Sequence, residues 1–117
     1  MQWQVVFHQA FEPEYEALAL DVQDALVAAA ALLQLQGPLL GRPHADTLEG
    51  SAYANMKELR FTAGDGVWRV AFAFDPVRKA IVLVAGDKAG VAQKRFYKGL
   101  LAKADSRFAD HLEMFKG

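Results

Sequence analysis

The chain has 117 residues, 53% hydrophobic and 23% charged, with a formal net charge of −1, which predicts one globular domain over residues 1–117 and excludes a disordered chain. It contains no cysteine, so a disulfide framework, a thiol nucleophile and a zinc site built on thiolates are excluded. The longest apolar run, Ala25 to Leu33, is far short of the ~20 residues that span a bilayer, and the amino terminus carries no signal-peptide pattern, so a cytoplasmic protein with no membrane contact is expected.

The first strand is expected over Trp3 to His8, a short run rich in β-branched and aromatic residues. Glu12-Pro13-Glu14 reads as a helix entrance. Beyond it, Tyr15, Leu18, Val22, Ala25, Leu26, Ala29, Leu32 and Leu33 recur at helical spacing and form a stripe to be buried. Asp21 is a candidate cap, so one kinked helix and two successive helices both fit. Gly37-Pro38 ends the helical pattern. Residues 37–54 read as a connector. A meander follows, with strands over Asn55 to Thr62, Val67 to Phe74 and Lys79 to Ala85, joined at Asp65-Gly66 and Asp75-Pro76. The last strand is apolar almost throughout, which places it centrally with both faces covered. Val91 to about Phe115 is expected as a final helix. The order is β-α(α)-β-β-β-α, an α+β fold with a mainly antiparallel four-stranded sheet and helices packed on one face.

Charge divides unevenly along the chain. Residues 1–50 hold one basic and seven acidic residues, and residues 51–117 hold twelve basic and seven acidic ones. The second half therefore offers a basic face to a polyanion, unless the two halves simply neutralise each other. Side chains alternate along strands. Leu59, Phe61 and Lys57 share one face of the second strand, and Met56, Glu58 and Arg60 the other. In the third strand Arg69 lies with Val67, Ala71 and Ala73, opposite Trp68, Val70, Phe72 and Phe74. Glu58, Arg60 and Arg69 are thus expected together on an open sheet face, with Arg60 and Arg69 close enough to hold one anion or to pair with Glu58. Lys94, Arg95, Tyr97 and Lys98 start the last helix, where cations oppose the helix dipole unless an anion compensates them. With Lys88 from the preceding loop they complete a basic, concave patch. The segment Gly86-Asp87-Lys88-Ala89-Gly90 lacks the frame of a nucleotide loop. His8, His44 and His111 have no metal-ligand spacing, so no metal and no cofactor are expected.

The segments Asn55-Met56-Lys57-Glu58-Leu59-Arg60-Phe61, Gly66-Val67-Trp68-Arg69-Val70, Phe74-Asp75-Pro76, Gly86-Asp87-Lys88-Ala89-Gly90 and Arg95-Phe96-Tyr97 resemble the phage-derived HigB-like branch of the RelE/ParE toxin superfamily. Gly37-Pro38, Gly41-Arg42-Pro43, Asp46-Thr47-Leu48, Ala104-Asp105 and His111-Leu112 fit the same pattern. The resemblance implies the toxin of a type II toxin–antitoxin pair, a ribosome-dependent mRNA endonuclease. Its partners would be mRNA on the ribosome and a helix-turn-helix antitoxin, with no sequence-specific DNA binding of its own. A ParE-like gyrase inhibitor, or an inactive homologue that only binds its antitoxin, are the alternatives.

Metal-free RNA cleavage by the 2′-hydroxyl needs a base, cations on the phosphate and an acid for the leaving oxygen. On that reading Arg60 and Arg69 hold the scissile phosphate, and Glu58 or Lys57 is the base. Tyr97 stacks on a base or assists proton transfer. Lys88, Arg95, Lys94 and Lys98 hold flanking phosphates, and His111 is an alternative acid–base group. Arg69 matches the superfamily's strand arginine most directly. Glu58 stands where some members carry lysine.

Overall fold

The computed structural model describes residues 2–116. Strand β1 (Gln4–Phe7) leads into two helices, α1 (Glu12–Glu16) and α2 (Leu20–Gln36). The break between them is held by one side chain. Gln23 Nε2 donates to the carbonyls of Tyr15, Glu16 and Leu18 at 3.0, 3.2 and 3.1 Å, gathering acceptors at the end of α1. Ala19, not Asp21, is the N-cap of α2; Asp21 lies inside the first turn. Helix α2 stops at Gly37, whose φ is +54° and against whose Cα the Trp3 ring packs where a Cβ would stand, so only glycine fits there.

A short 3-10 turn (Gly37–Leu39) precedes β2 (Ala45–Thr47), β3 (Lys57–Ala63), β4 (Gly66–Phe74), β5 (Lys79–Asp87) and α3 (Gln93–Leu112), and a second 3-10 turn (Glu113–Phe115) follows. The sheet runs β1-β5-β4-β3-β2. β1 is parallel to β5 and the other pairs are antiparallel. The sheet therefore has five strands among the described residues, not four. The additional one, β2, lies in the segment expected to be a connector. Its sequence Ala-Asp-Thr has little intrinsic strand character. It is extended because the β3 edge templates it: Arg60 N–H donates to His44 O and Leu48 N–H to Met56 O.

The helices also do not share one face. Leu26, Ala29 and Leu33 of α2 cluster with Leu59, Val70, Phe72, Ala80 and Val82. Leu100, Ala104 and Phe108 of α3 cluster on the other side with Met56, Ala71, Ala73, Ile81 and Leu83. Alternation along β4 and β5 feeds both layers. The small side chains at Ala71 and Ala73, expected to line an open surface, are where α3 settles. Outward from the sheet, α2 leaves Leu20, Val27 and Leu35 exposed at 75%, 52% and 63%, so this helix is apolar on both sides.

Polar contacts fix the second half of α3. Asp105 receives Ser51 Oγ and Ala52 N–H. Arg107 Nη1 donates to Leu83 O at 2.8 Å and the guanidinium pairs with Glu14. His8 Nε2 lies 3.1 Å from Asp110 Oδ2, and His111 Nε2 lies 2.9 Å from Asp75 Oδ2. The hydrogen bond from Arg107 holds the Glu14 carboxyl below its ordinary pKa. A lowered carboxylate contributes stability that is complete above its unfolded pKa and is lost as pH falls through the folded value. Because Glu14 is 39% exposed, solvent screening keeps the pair in the surface range. Glu14→Gln should destabilise the fold by about 0.5–1 kcal/mol at neutral pH. Thermal melts of the two proteins should converge as the pH falls below the folded pKa of Glu14.

Candidate functional site

Helix α3 lies on Ala71 and Ala73 of β4 and on Ile81 and Leu83 of β5, and from its first turns the Tyr97 side chain reaches across to Glu58 of β3. Phe96 packs against Gly86, where an added Cβ would sit 2.9 Å from its ring. The glycine lets the helix start come down onto β5. The side chains one helical face apart, Lys94, Tyr97, Lys98 and Leu101, then overhang a cleft of about 860 Å³. Opposite them are Arg42, Asp46, Glu58 and Arg60, with Lys88 at one end.

At the cleft floor Tyr97 Oη donates to Glu58 Oε1 at 2.9 Å. Beneath that pair, Arg69 Nε lies 3.8 Å from the same carboxylate oxygen, and Arg69 Nη1 donates to the carbonyl of Trp68 at 2.9 Å. Glu58 and Arg69 are only 6% and 7% exposed. The Nε of Arg69 is buried with no hydrogen-bond partner among the described residues, so the ion pair is incomplete. Burial pushes the Glu58 carboxyl above the ordinary glutamate range, against the opposing pulls of the Tyr97 hydrogen bond and the Arg69 charge. Burial and the neighbouring carboxylate push the Tyr97 hydroxyl up as well. Tyr97 therefore stays protonated at neutral pH and acts as a donor. Lys88 Nζ lies 5.9 Å from the centre of the Tyr97 ring, a cation over an aromatic face.

The sequence-derived residues divide as follows. Glu58, Arg60, Tyr97, Lys88, Lys94 and Lys98 line the one cleft. Arg60 and Arg69 are direct cross-strand neighbours, yet their guanidiniums turn to different acids. Arg60 Nη1 lies 3.9 Å from Asp46 Oδ2, and Arg69 faces Glu58. The face they share is closed only in part: Arg69 is buried behind the Glu58–Tyr97 pair, Arg60 stays half-buried, and both edge a neighbouring shallow depression with His44 and Thr62. Lys57 is on the opposite sheet face, where Nζ donates to Pro38 O at 3.3 Å, so it has no access to the cleft. Arg95 is exposed but does not line the cleft, because it sits about 100° around the helix from Lys94. His111 is spent on Asp75 at the far end of α3.

Sequence reasoning missed Arg42, Asp46 and Glu49, which line the cleft from the segment taken for a connector. One signal was available: Arg42 is the only lysine or arginine in the first fifty residues. Among the described residues, no group of three histidine, aspartate or glutamate side chains is placed to hold a metal ion, and no helix is long and apolar enough to cross a membrane.

Residues 14–109 match the family model described as phage-derived protein Gp49-like. The chain belongs to the Gp49-like family. Two Mycobacterium tuberculosis relatives of this Gp49-like chain are named as HigB toxins. “Putative toxin HigB3” is 44% identical over 103 residues, covering 88% of each chain. “Putative toxin HigB2” is 43% identical over 97 residues, covering 82% of this chain. The chain spans about half the length of the latter relative, 48% of which is matched. A doubly substituted E. coli toxin RelE, solved in its free state, superposes with a TM-score of 0.62 at 13% identity, over 88% of this chain and 97% of RelE. The Gp49-like chain therefore has the RelE-like α+β fold expected from its motifs, with one more short strand.

Because Tyr97 lowers the proton affinity of Glu58, Tyr97→Phe should raise the Glu58 pKa further. A side-chain carboxyl titration followed by NMR reads this directly, and a downward or absent shift would show that the hydroxyl does not support the carboxylate.

Proposed function

We propose that this protein is the toxin of a toxin–antitoxin pair and cleaves translated mRNA on the ribosome. The observation that carries this reading is the Glu58–Tyr97 pair at the floor of a cleft rimmed by Arg60, Lys88, Lys94 and Lys98. Cations around a carboxylate of raised pKa are the parts needed for 2′-hydroxyl attack. In this scheme Glu58 takes the 2′ proton as the 2′ oxygen bonds to phosphorus. The bond from phosphorus to the 5′ oxygen breaks, and Tyr97, still protonated, gives its proton to that oxygen. The products are a 2′,3′-cyclic phosphate and a 5′-hydroxyl end. Arg60 neutralises the charge that builds on the phosphate, and the lysines of α3 hold the flanking strand. Arg69 acts at one remove as a positioning residue, keeping a buried Glu58 able to ionise.

Arg69→Ala is a poor probe of the chemistry, since it leaves Glu58 buried without its cation. Glu58→Gln keeps the shape and can still accept from Tyr97. It should lower cleavage of translated mRNA by about 10²–10⁴-fold and relieve growth arrest on induction. Wild-type cleavage should rise with pH as Glu58 ionises. That limb should lie above the ordinary glutamate pKa of about 4.3 and vanish in the variant. Full activity in Glu58→Gln would remove the carboxylate from the mechanism. Gyrase-linked DNA damage with intact mRNA would support the gyrase-inhibitor reading instead, and inertness with a bound antitoxin would mark a degenerate toxin.

The antitoxin is proposed to dock on the outward side of α2, across the sheet from the cleft. Helix α2 carries Asp21 and Asp24 and no lysine or arginine, on the same helix as exposed Leu20, Val27 and Leu35. This complements a partner helix that carries apolar and basic side chains. Val27→Lys with Leu35→Lys should leave the fold intact and release the antitoxin encoded beside this gene, read by co-purification. An intact complex would place the interface elsewhere, and loss of a homodimer instead would mark a self-association face.

A further inference from the structure

The outer wall of the cleft carries a second arrangement, of which the catalytic scheme uses only Arg60. Arg42 Nε lies 2.8 Å and Arg42 Nη2 2.7 Å from Asp46 Oδ2. Both donors of one guanidinium edge thus fall on a single oxygen. The other oxygen, Oδ1, accepts the Thr47 N–H at 2.8 Å. Arg60 approaches the same Oδ2 but stops at 3.9 Å, beyond hydrogen-bond reach. Its guanidinium makes no other hydrogen bond among the described residues. Two arginines therefore converge on one carboxylate that satisfies the first with poor geometry and the second hardly at all.

We propose that Arg42 and Arg60 form a phosphodiester-binding pair at the mouth of the cleft, and that Asp46 occupies it in the free protein as an internal substitute for the phosphate. The proposal rests on the RNA-cleaving reading and adds to it a binding residue, Arg42, and an attenuating residue, Asp46. A phosphodiester has two non-bridging oxygens, so each guanidinium would gain its own acceptor in place of a shared one. Displacing Asp46 is easy, because Arg42 is 75% exposed and exposed ion pairs contribute little. The released carboxylate keeps its Thr47 hydrogen bond and gains water. Asp46 is also the cross-strand partner of Glu58, and its charge adds to the forces that raise the Glu58 pKa. The same residue thus opposes RNA at the phosphate pair and favours a basic Glu58. This accounts for a carboxylate placed in the middle of a cationic rim.

The test is an anisotropy titration with a short, labelled 2′-O-methyl oligouridine, which can bind but cannot be cleaved. Asp46→Asn preserves side-chain size and the hydrogen bond to Thr47 while removing the charge. It should bind roughly threefold to tenfold tighter than wild type, with a steeper salt dependence. Arg42→Gln should weaken binding less in the wild-type background than in the Asp46→Asn background, because in wild type the Arg42–Asp46 pair must first be broken. It should cancel most of the gain in the Asp46→Asn background. Glu49→Gln removes another cleft carboxylate that forms no ion pair with either arginine among the described residues. An equal gain from Glu49→Gln would reduce the effect to bulk charge and overturn the proposal. If Lys94→Ala with Lys98→Ala weakens binding while Asp46→Asn matches wild type, the RNA reading survives and the substitution role of Asp46 does not. No binding by any form overturns both.

Discussion

The position of α3 on the sheet is the constraint from which the rest follows. Ala71 and Ala73 make a shallow seat on β4, and polar contacts of Asp105, Arg107, Asp110 and His111 tie the second half of the helix to Ala52, Leu83, His8 and Asp75 around it. Toward its start the helix meets no such seat, because Glu58 and Arg60 of β3 and Arg69 of β4 stand on that face in place of alanines. The helix start overhangs those side chains instead, and the space between is the cleft. A sheet of uniformly small residues would have been covered and would hold no site.

That geometry also explains the electrostatics. Burying Glu58 disfavours its charge, and burying Arg69 beside it restores part of what desolvation removes. With the ion pair at 3.8 Å and the Tyr97 bond at 2.9 Å, neither partner fully offsets burial, so the carboxyl stays displaced upward. A well-made salt bridge would have lowered it into the range of an inert carboxylate. The imperfection of the pair is what leaves the Glu58 carboxyl displaced upward despite a cation beside it. Around it, acids and bases alternate across strands: Asp46 faces Glu58, and Arg60 faces Arg69. Like-charged neighbours of this kind weaken a sheet, and each is relieved by a diagonal partner of opposite sign.

Much of this was legible in the residues. Asp65-Gly66 and Asp75-Pro76 marked the meander, and strand alternation separated Leu59 from Glu58 and Phe72 from Ala71 as the two packing clusters do. The both-sided apolar character of Lys79 to Ala85 already implied cover on two faces. The expectation of helices on one face overlooked that implication, because Ala71 and Ala73 look like surface residues until a helix is laid on them. Strand β2 was not legible for a different reason. Its three residues have no pattern of their own and are extended only by hydrogen bonds to β3. Arg42 and Asp46 were lost with it, since a segment read as a connector has no face to assign.

The sequence by itself determined the order of the elements, the side of each strand on which a residue stands, and the kinship to HigB-like toxins, because these depend on local periodicity and on motifs spread through the chain. Only the tertiary structure decided which of the charged residues meet. Lys57 and Arg95 carry the same charge as Lys94 and Lys98 and lie within a few positions of the site. One is turned to the far face of the sheet, and the other lies a quarter turn off around the helix. Strand alternation already turned Lys57 away, but separation along the chain does not report which side of α3 faces the sheet; that is set where the helix comes to rest on β4 and β5.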